Sequence, residues 1–505
     1  MQWSKYQEDI FDWVRTSSTS SKREGLVVEA VAGSGKTTTI VEAAKLIPQE
    51  SASVFLAFNK SIATELAGKL PFNVEARTLN SLGHTAVMSK FGAVSLDNSK
   101  TYKIVKELED QTGLDGQDYI AKFFSGDICN IVSKCKAHGI KPYDKLNGEY
   151  FSKGVFKELV KYYGINSEAP DDVLYYFAHE ALKESVKQTN VIDFNDQLYY
   201  VVLFDLDVPK YHWIIVDEAQ DLSHINRDML NKFLSENGKF IAVGDSHQAI
   251  YGFRGADSSS MSNIKDLFNC DELPLSTTYR CPKSVVEEAK RYVPEIECPS
   301  DKQEGIIKSV DYFNVDEFVD SDLVLCRNTA PLIKTAYKCI TSKLPVRVLG
   351  RDIGKGLGSL VKKLAKKEFK TMTIGNFEIK LSRWSREEIQ KAKKREQEDR
   401  IEGIQDKADS LFAIIEGADP DNLPELVTAI EELFSGDKGP RFSTVHRAKG
   451  LEANRVFILD KDLMPSKYAK EEWSKEQEKN IIYVAITRTS HELIYVRSKD
   501  VRTVL

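Results

Sequence analysis

The residues with the clearest chemistry lie at Ala30-Val31-Ala32-Gly33-Ser34-Gly35-Lys36-Thr37, between the apolar run LVVEA and the helical pattern TTTIVEAAKLI. Small residues there let backbone N–H groups and a helix N-terminus wrap phosphates, with Lys36 reaching the β and γ phosphates and the Thr37 hydroxyl binding Mg²⁺. Ala30 stands where the general pattern has Gly; Gly33, Ser34, Gly35 and Thr38 complete the small, polar wrap. A Gly-rich turn between strand and helix can be purely structural, but Lys-Thr in this register makes a nucleoside triphosphate the expected ligand. A second apolar run, WIIV, leads directly into Asp217-Glu218-Ala219-Gln220-Asp221. Asp217 would hold Mg²⁺ through water, and Glu218 would orient and deprotonate an attacking water, because such hydrolysis is mostly positioning plus charge stabilisation. An acidic turn after a buried strand is common alone. Paired with the phosphate loop, it predicts nucleotide hydrolysis.

These groups must sit at the ends of strands, and the sequence supplies strands in two groups. The early runs are GLVVEAVAGSGKTTTIVEAAKL, SVFLAFNKSIATELAGKL, YHWIIVDEAQD and KFIAVGDSHQAIYGF; the late ones are DLVLCRN, LPVRVLG, RFSTVHRAKGLEANRVFILD and IIYVAITRTSHELIYV. Strands alternating with helical patterns predict an α/β protein with two parallel sheets that carry ligands at the strands' carboxyl ends. Two stretches of other character interrupt them. Residues 86–187 read as a helical insertion. Residues 351–438, with KKLAKKEFK, the long charged helix candidate SREEIQKAKKREQEDRIEG and the apolar-periodic LPELVTAIEELF, read as a second. The run from Lys362 to Lys370 could face a duplex, although such charge runs are usually solvated helix faces.

A chain of 505 residues with 42% apolar content predicts two to four compact units. No run approaches the roughly 18 apolar residues of a membrane span, and MQWSKYQEDI lacks the profile of a secretory signal. A soluble protein of the cytoplasm, or of the nucleus in a eukaryote, is expected, with no membrane partner. Cys129, Cys135, Cys270, Cys281, Cys298, Cys326 and Cys339 form no C-x-x-C pair and read as reduced, packed thiols. A formal net charge of −6 is not the strongly basic footprint expected of a protein that merely coats nucleic acid, so any nucleic-acid path must be a local basic and aromatic groove.

Further segments, in order, make the chain resemble superfamily 1 helicases of the UvrD/Rep/PcrA type, from Gln7 to about Tyr495 apart from the two insertions. AFNKSIATEL and RTLNSLG also resemble F-box DNA helicases and UvrD-like phage proteins. The resemblance implies two RecA-like P-loop domains, residues 1–85 plus 188–273 and 274–350 plus 439–505, with accessory insertions at 86–187 and 351–438 and ATP between the two lobes. It implies that Gln7 binds the adenine edge, Tyr279 stacks on the base, Gln248 in VGDSHQAIYGFRGA senses the γ phosphate, and Arg280 and Arg488 are arginine fingers. Glu452 would contact the ribose and Gly450 would allow close backbone approach. The nucleic-acid track would use Phe58, Asn59, Thr78, Asn80, Phe253, Arg254, Thr444 and His446, since single strands need π faces for bases and polar or cationic groups for phosphates. Asn80 stands where many relatives carry His, and Phe253 where the bacterial enzymes carry Trp. The segment from Asp193 to Leu198 resembles D-F-D-D-L and reads as structural or weakly DNA-linked.

The implied activity is an ATP- and Mg²⁺-dependent DNA helicase moving 3′→5′ on single-stranded DNA, acting at single-strand/duplex junctions in replication, repair or recombination, and expected as a monomer. A translocase that strips proteins such as recombinase filaments, and a non-catalytic, nucleotide-gated binding protein, are the alternatives.

Overall fold

The early apolar runs fold as a six-stranded parallel sheet in the computed structural model, which describes residues 3–111, 118–142, 150–163, 165, 167, 169–250, 260–394, 398–470 and 472–503. Its strands are β1 (Glu24–Ala30), β2 (Ser53–Leu56), β3 (Val74–Arg77), β6 (Tyr211–Val216), β7 (Leu234–Gly244) and β8 (Cys270–Leu275), in the order β3-β2-β6-β7-β1-β8; the short pair β4 (Ser95–Leu96) and β5 (Val191–Ile192) stands apart. Every pairing is parallel. Alternate residues of one strand feed opposite faces, and both faces are covered: Val27, Val54, Ile214 and Phe240 enter one core, Leu26, Phe55, Ile215 and Ile241 the other. That double burial is why these strands read as continuous apolar runs rather than alternating ones.

A second six-stranded parallel sheet has the order β12-β13-β11-β14-β15-β9. It consists of β9 (Ile306–Ser309), β11 (Leu323–Cys326), β12 (Arg347–Val348), β13 (Arg441–Thr444), β14 (Ala453–Leu459) and β15 (Thr489–Val496), with β10 (Phe313–Asn314) pairing β16 (Val501–Arg502) beside it. The chain divides into two compact units, one of Met1–Ala30 and Gly35–Leu275, the other of Val31–Ser34 and Ser276–Leu505.

Each helical insertion shares a core with its own sheet. Ile104, Ile131, Val132 and Phe177, from helices Lys100–Gln111, Asp118–Ala137 and Asp171–Lys187, pack in the cluster that contains Val27 and Phe240. Leu357, Phe377, Leu411 and Ile430, from helices Arg351–Ala365, Ile374–Lys394, Glu398–Ala418 and Leu423–Leu433, pack with Val324, Phe442 and Phe457 of the second sheet. Helix Leu79–Phe91 runs through residue 86, where the sequence suggests the first insertion begins. One expected strand is helical: IIYVAI closes helix Glu472–Ile486, and only Thr489–Val496 is extended. All of Ile481 to Ile486 is buried, so the run shows no amphipathic period that would have revealed a helix. All seven cysteines are free thiols. Among the described residues, no helix is long and apolar enough to cross a membrane.

Candidate functional site

Three neighbouring strands of the first sheet, β6, β7 and β1, end in polar turns. After β1, Gly33 and Gly35 take φ of +73° and +76°, a region where a Cβ would be strained. Gly35 caps helix Lys36–Ala44 without a side-chain hydrogen bond of its own, and the N-terminal end of a helix is a favourable place for phosphate. The Ser34 hydroxyl is buried with no hydrogen-bond partner among the described residues. Lys36 and Thr37 are half-buried and Thr38 is exposed.

The turn after β6 meets this helix directly, because the Thr37 hydroxyl donates to Asp217 Oδ2 at 2.7 Å. Burial and the neighbouring Glu218 carboxylate raise the Asp217 pKa to about 6, against the opposing pull of the Thr37 hydroxyl and the Lys36 ammonium. A hydroxyl and a buried carboxylate short of countercharge form a donor set that suits a divalent cation. Glu218 adopts φ 54°, ψ 41°, left-handed backbone that a non-glycine residue holds at a cost of about 1–2 kcal/mol. Gln220, in the same turn, links two acidic groups: its Nε2 donates to Glu218 Oε2 at 2.5 Å, and its Oε1 accepts Asp245 N at 3.1 Å. Asp245, after β7, accepts Gln248 Nε2 at 2.6 Å. A hydrogen-bonded chain thus runs Glu218–Gln220–Asp245–Gln248. Glu218, Asp245 and Gln248 stand out in the sequence by their motifs; Gln220 does not, its one signal being its place inside DEAQD.

Gln7 is buried in a bonding arrangement of its own. Its Oε1 accepts Ser4 N at 3.0 Å, closing a capping box on helix Lys5–Ser18, and its Nε2 donates to Thr39 Oγ1 at 2.9 Å. This ties Gln7 to the helix that carries Lys36 and Thr37.

In the second unit, the two arginines have different settings. Arg280 Nε donates to Glu452 Oε2 at 2.6 Å, and Tyr279 beside it is exposed. Arg488 is 1% exposed and donates to Val484 O at 3.0 Å and Leu451 O at 3.3 Å, which ties the end of helix Glu472–Ile486 to the loop containing Gly450. Thr444 ends β13, and half-buried His446 lies in the short turn Val445–Ala448 that follows.

The aromatic groove lies on the first unit. Phe58 is 54% exposed at the end of β2, and Phe194 is 56% exposed in the turn before helix Asp196–Leu203. Both line a hollow of about 210 Å³ together with Asn80, Asn195 and Asn226. Asn80 Nδ2 donates to Phe194 O at 3.1 Å. Asn59 and Thr78 serve as helix N-caps, accepting Ile62 N at 3.0 Å and Ser81 N at 3.2 Å. Phe253 and Arg254 lie outside the described residues. The segment from Asp193 to Leu198, read in the sequence as structural or weakly DNA-linked, thus places exposed Phe194 in the same hollow as Phe58.

Two RecA-like α/β sheets, the first followed by a phosphate loop after β1 and an adjoining Asp-Glu turn after β6, define a P-loop nucleotide-binding protein. The chain belongs to the UvrD/REP helicase family: the UvrD/REP helicase N-terminal domain matches residues 15–269, and the UvrD-like helicase C-terminal domain matches 351–499. It is similar to F-box DNA helicase protein 1 of Schizosaccharomyces pombe, 24% identical over 93% of this chain and 55% of that protein. F-box DNA helicase 1 of Gallus gallus is 25% identical over 94% of this chain and 47% of its own length, and DNA helicase IV of Escherichia coli is 26% identical over 54% and 45%. The chain spans about half the length of these curated relatives.

Proposed function

We propose that this chain hydrolyses ATP to move 3′→5′ along single-stranded DNA and to separate the duplex ahead of it. The observation that carries the reading is the bond from half-buried Thr37 to buried Asp217, beside Glu218 in its left-handed turn. Mg²⁺ would be held by Thr37 and Asp217, and when bound it supplies positive charge to the phosphates. Lys36 and the N–H groups of Gly33, Ser34 and Gly35 hold the β and γ phosphates. Glu218, fixed by Gln220, orients the attacking water and accepts its proton; the same hydrogen-bonded chain lets Gln248 respond to the γ phosphate. Arg280 and Arg488 supply the positive charge that the departing phosphoryl group needs, Glu452 and Gly450 face the ribose, and Gln7 and Tyr279 take the adenine. Bases stack on Phe58 and Phe194 in the groove that Asn80 also lines, and Thr444 and His446 continue the track. Phe253 and Arg254 extend it by the family resemblance. Junctions of single-stranded and duplex DNA in replication, repair or recombination are the substrates, and the motor acts as a monomer.

The test is unwinding of 3′-tailed against 5′-tailed duplexes with ATP and Mg²⁺, alongside Lys36→Ala. Strand separation from 3′ tails alone, lost in Lys36→Ala, is expected. Separation from 5′ tails alone refutes the direction. Strong single-strand-stimulated ATPase with no separation of any tailed duplex replaces unwinding with protein displacement.

A further inference from the structure

The turn that carries Phe194 is clamped by four buried charges. Asp193 Oδ1 accepts Asn195 N and Asp196 N, both at 2.9 Å, and Asp196 Oδ2 accepts Asp193 N at 3.0 Å, so the two aspartates close a tight turn with exposed Phe194 between them. Lys136 Nζ lies 2.6 Å from Asp193 Oδ2 and 2.7 Å from Asp196 Oδ1, while Lys100 Nζ lies 2.8 Å from Asp196 Oδ2. Thr101 Oγ1 adds a 3.0 Å bond to Asp193 Oδ2, and Tyr200 Oη accepts Lys100 Nζ at 2.7 Å. Asp193, the most accessible of the four charged residues, is 6% exposed. Both lysines belong to helices of the insertion, Lys100–Gln111 and Asp118–Ala137, whereas the aspartates sit where the chain returns to the first sheet.

Buried ion quartets of this kind hold helices together no better than apolar packing would, because desolvation offsets the attraction; what they fix is geometry. Burial pulls the Lys100 pKa down, whereas at Lys136 the same pull is outweighed by Asp196 and Asp193 and the pKa is raised. Each carboxylate is held from one side by the turn's own N–H groups and from the other by a lysine, which leaves the Phe194 backbone one arrangement. Asn80, bonded to the Phe194 carbonyl, carries that constraint into the groove shared with Phe58.

We propose that Lys100 and Lys136 are positioning residues for nucleic-acid binding: the helical insertion, through its two buried lysines, sets the Asp193–Asp196 turn and with it the placement of Phe194 in the groove. This rests on the reading of that groove as a base-binding surface. The full chain is tested with a dT oligonucleotide, reading the concentration that half-saturates ATPase stimulation and, separately, the maximal stimulated rate. Lys136→Met raises the half-saturating concentration about tenfold, the scale of one weakened base stack, and changes the maximal rate far less. In a Phe194→Ala background the same substitution adds nothing, because its effect runs through Phe194. Equal effects in both backgrounds, or no effect in a folded Lys136→Met, overturn the inference. If Phe194→Ala alone leaves the half-saturating concentration unchanged, the base-binding reading of the groove falls, and the inference with it. Should Lys136→Met fail to fold, Thr101→Val removes one bond from the same turn, with an expected rise of about threefold and the same cycle against Phe194→Ala.

Discussion

Asp217 is a carboxylate whose ionisation the fold opposes. Its folded pKa of about 6 lies above the ordinary value of 3.8 because burial and Glu218 disfavour the charge. The native state therefore binds the proton more tightly than the unfolded chain, and stability is lost as pH rises through the window from about 4 to 6, staying lost above it. Asp217→Asn, free of this cost, is expected to raise the unfolding temperature of the ligand-free protein at pH 8 by the equivalent of about 3 kcal/mol. The advantage should disappear by pH 4. A mutant no more stable than the parent at pH 8 would show that Asp217 already has a full countercharge. Gln7 makes a second test at this scale, because the residue assigned to the adenine edge also caps a helix. Gln7→Ala removes the capping bond to Ser4 N, costing about 0.5–1 kcal/mol of stability, and removes the group assigned to the adenine edge. If both roles are real, the variant's ATPase loses its preference for ATP over GTP as well as some thermal stability. Lost stability with intact selectivity leaves Gln7 as a cap.

Among the elements, the phosphate loop depends on one backbone conformation. Nothing lies within 4 Å of a Cβ built on Gly35, so Gly35→Ala meets no neighbour; the cost is the left-handed φ of +76° alone, about 1–2 kcal/mol. Part of that strain should be relieved by reshaping the loop, so the expected result is a modest fall in unfolding temperature with a larger fall in nucleotide affinity by titration. Unchanged nucleotide affinity would mean the loop does not need this conformation. The loop itself was legible in the sequence because its chemistry is local: glycines, Lys36 and Thr37 lie within one turn between a strand and a helix, and Asp217 directly follows another apolar strand. The clamp around Phe194 was not legible. Lys100 and Asp196 are 96 residues apart, and a charge pair at that separation leaves no spacing to read. The same limit hid the second job of Gln7, whose partner Thr39 is 32 residues away. IIYVAI was misread as extended because burial all round erases the period that separates helix from strand.

For the whole molecule, the two compact units each enclose their own apolar clusters, the first built on both faces of its sheet and the second around Phe457, which packs 4.7 Å from Phe313 and 4.9 Å from Phe318 between ring centroids. Calorimetry should therefore resolve two transitions. Phe457→Ala, which removes a fully buried ring at a cost of about 3–5 kcal/mol, should lower one of them and so identify the second unit. That assignment allows a test of whether one nucleotide engages both units. Lys36, Thr37 and Asp217 lie in the first unit, so a non-hydrolysable ATP analogue with Mg²⁺ must raise its transition, by about 2.7 kcal/mol at a hundredfold excess over Kd. The second transition rises too if Gly33 and Ser34, which belong to the second unit, or Arg280, Glu452 or Arg488 contact the same nucleotide, since a ligand stabilises only what it binds. Both transitions are expected to rise in the parent chain, and in Arg280→Ala the second should rise less while the first still moves. A second transition that stays fixed in the parent would confine the nucleotide to Gly35, Lys36, Thr37 and Asp217 of the first unit. Hydrolysis would then have no direct hold on the second unit, and movement along a strand would require another source of coupling.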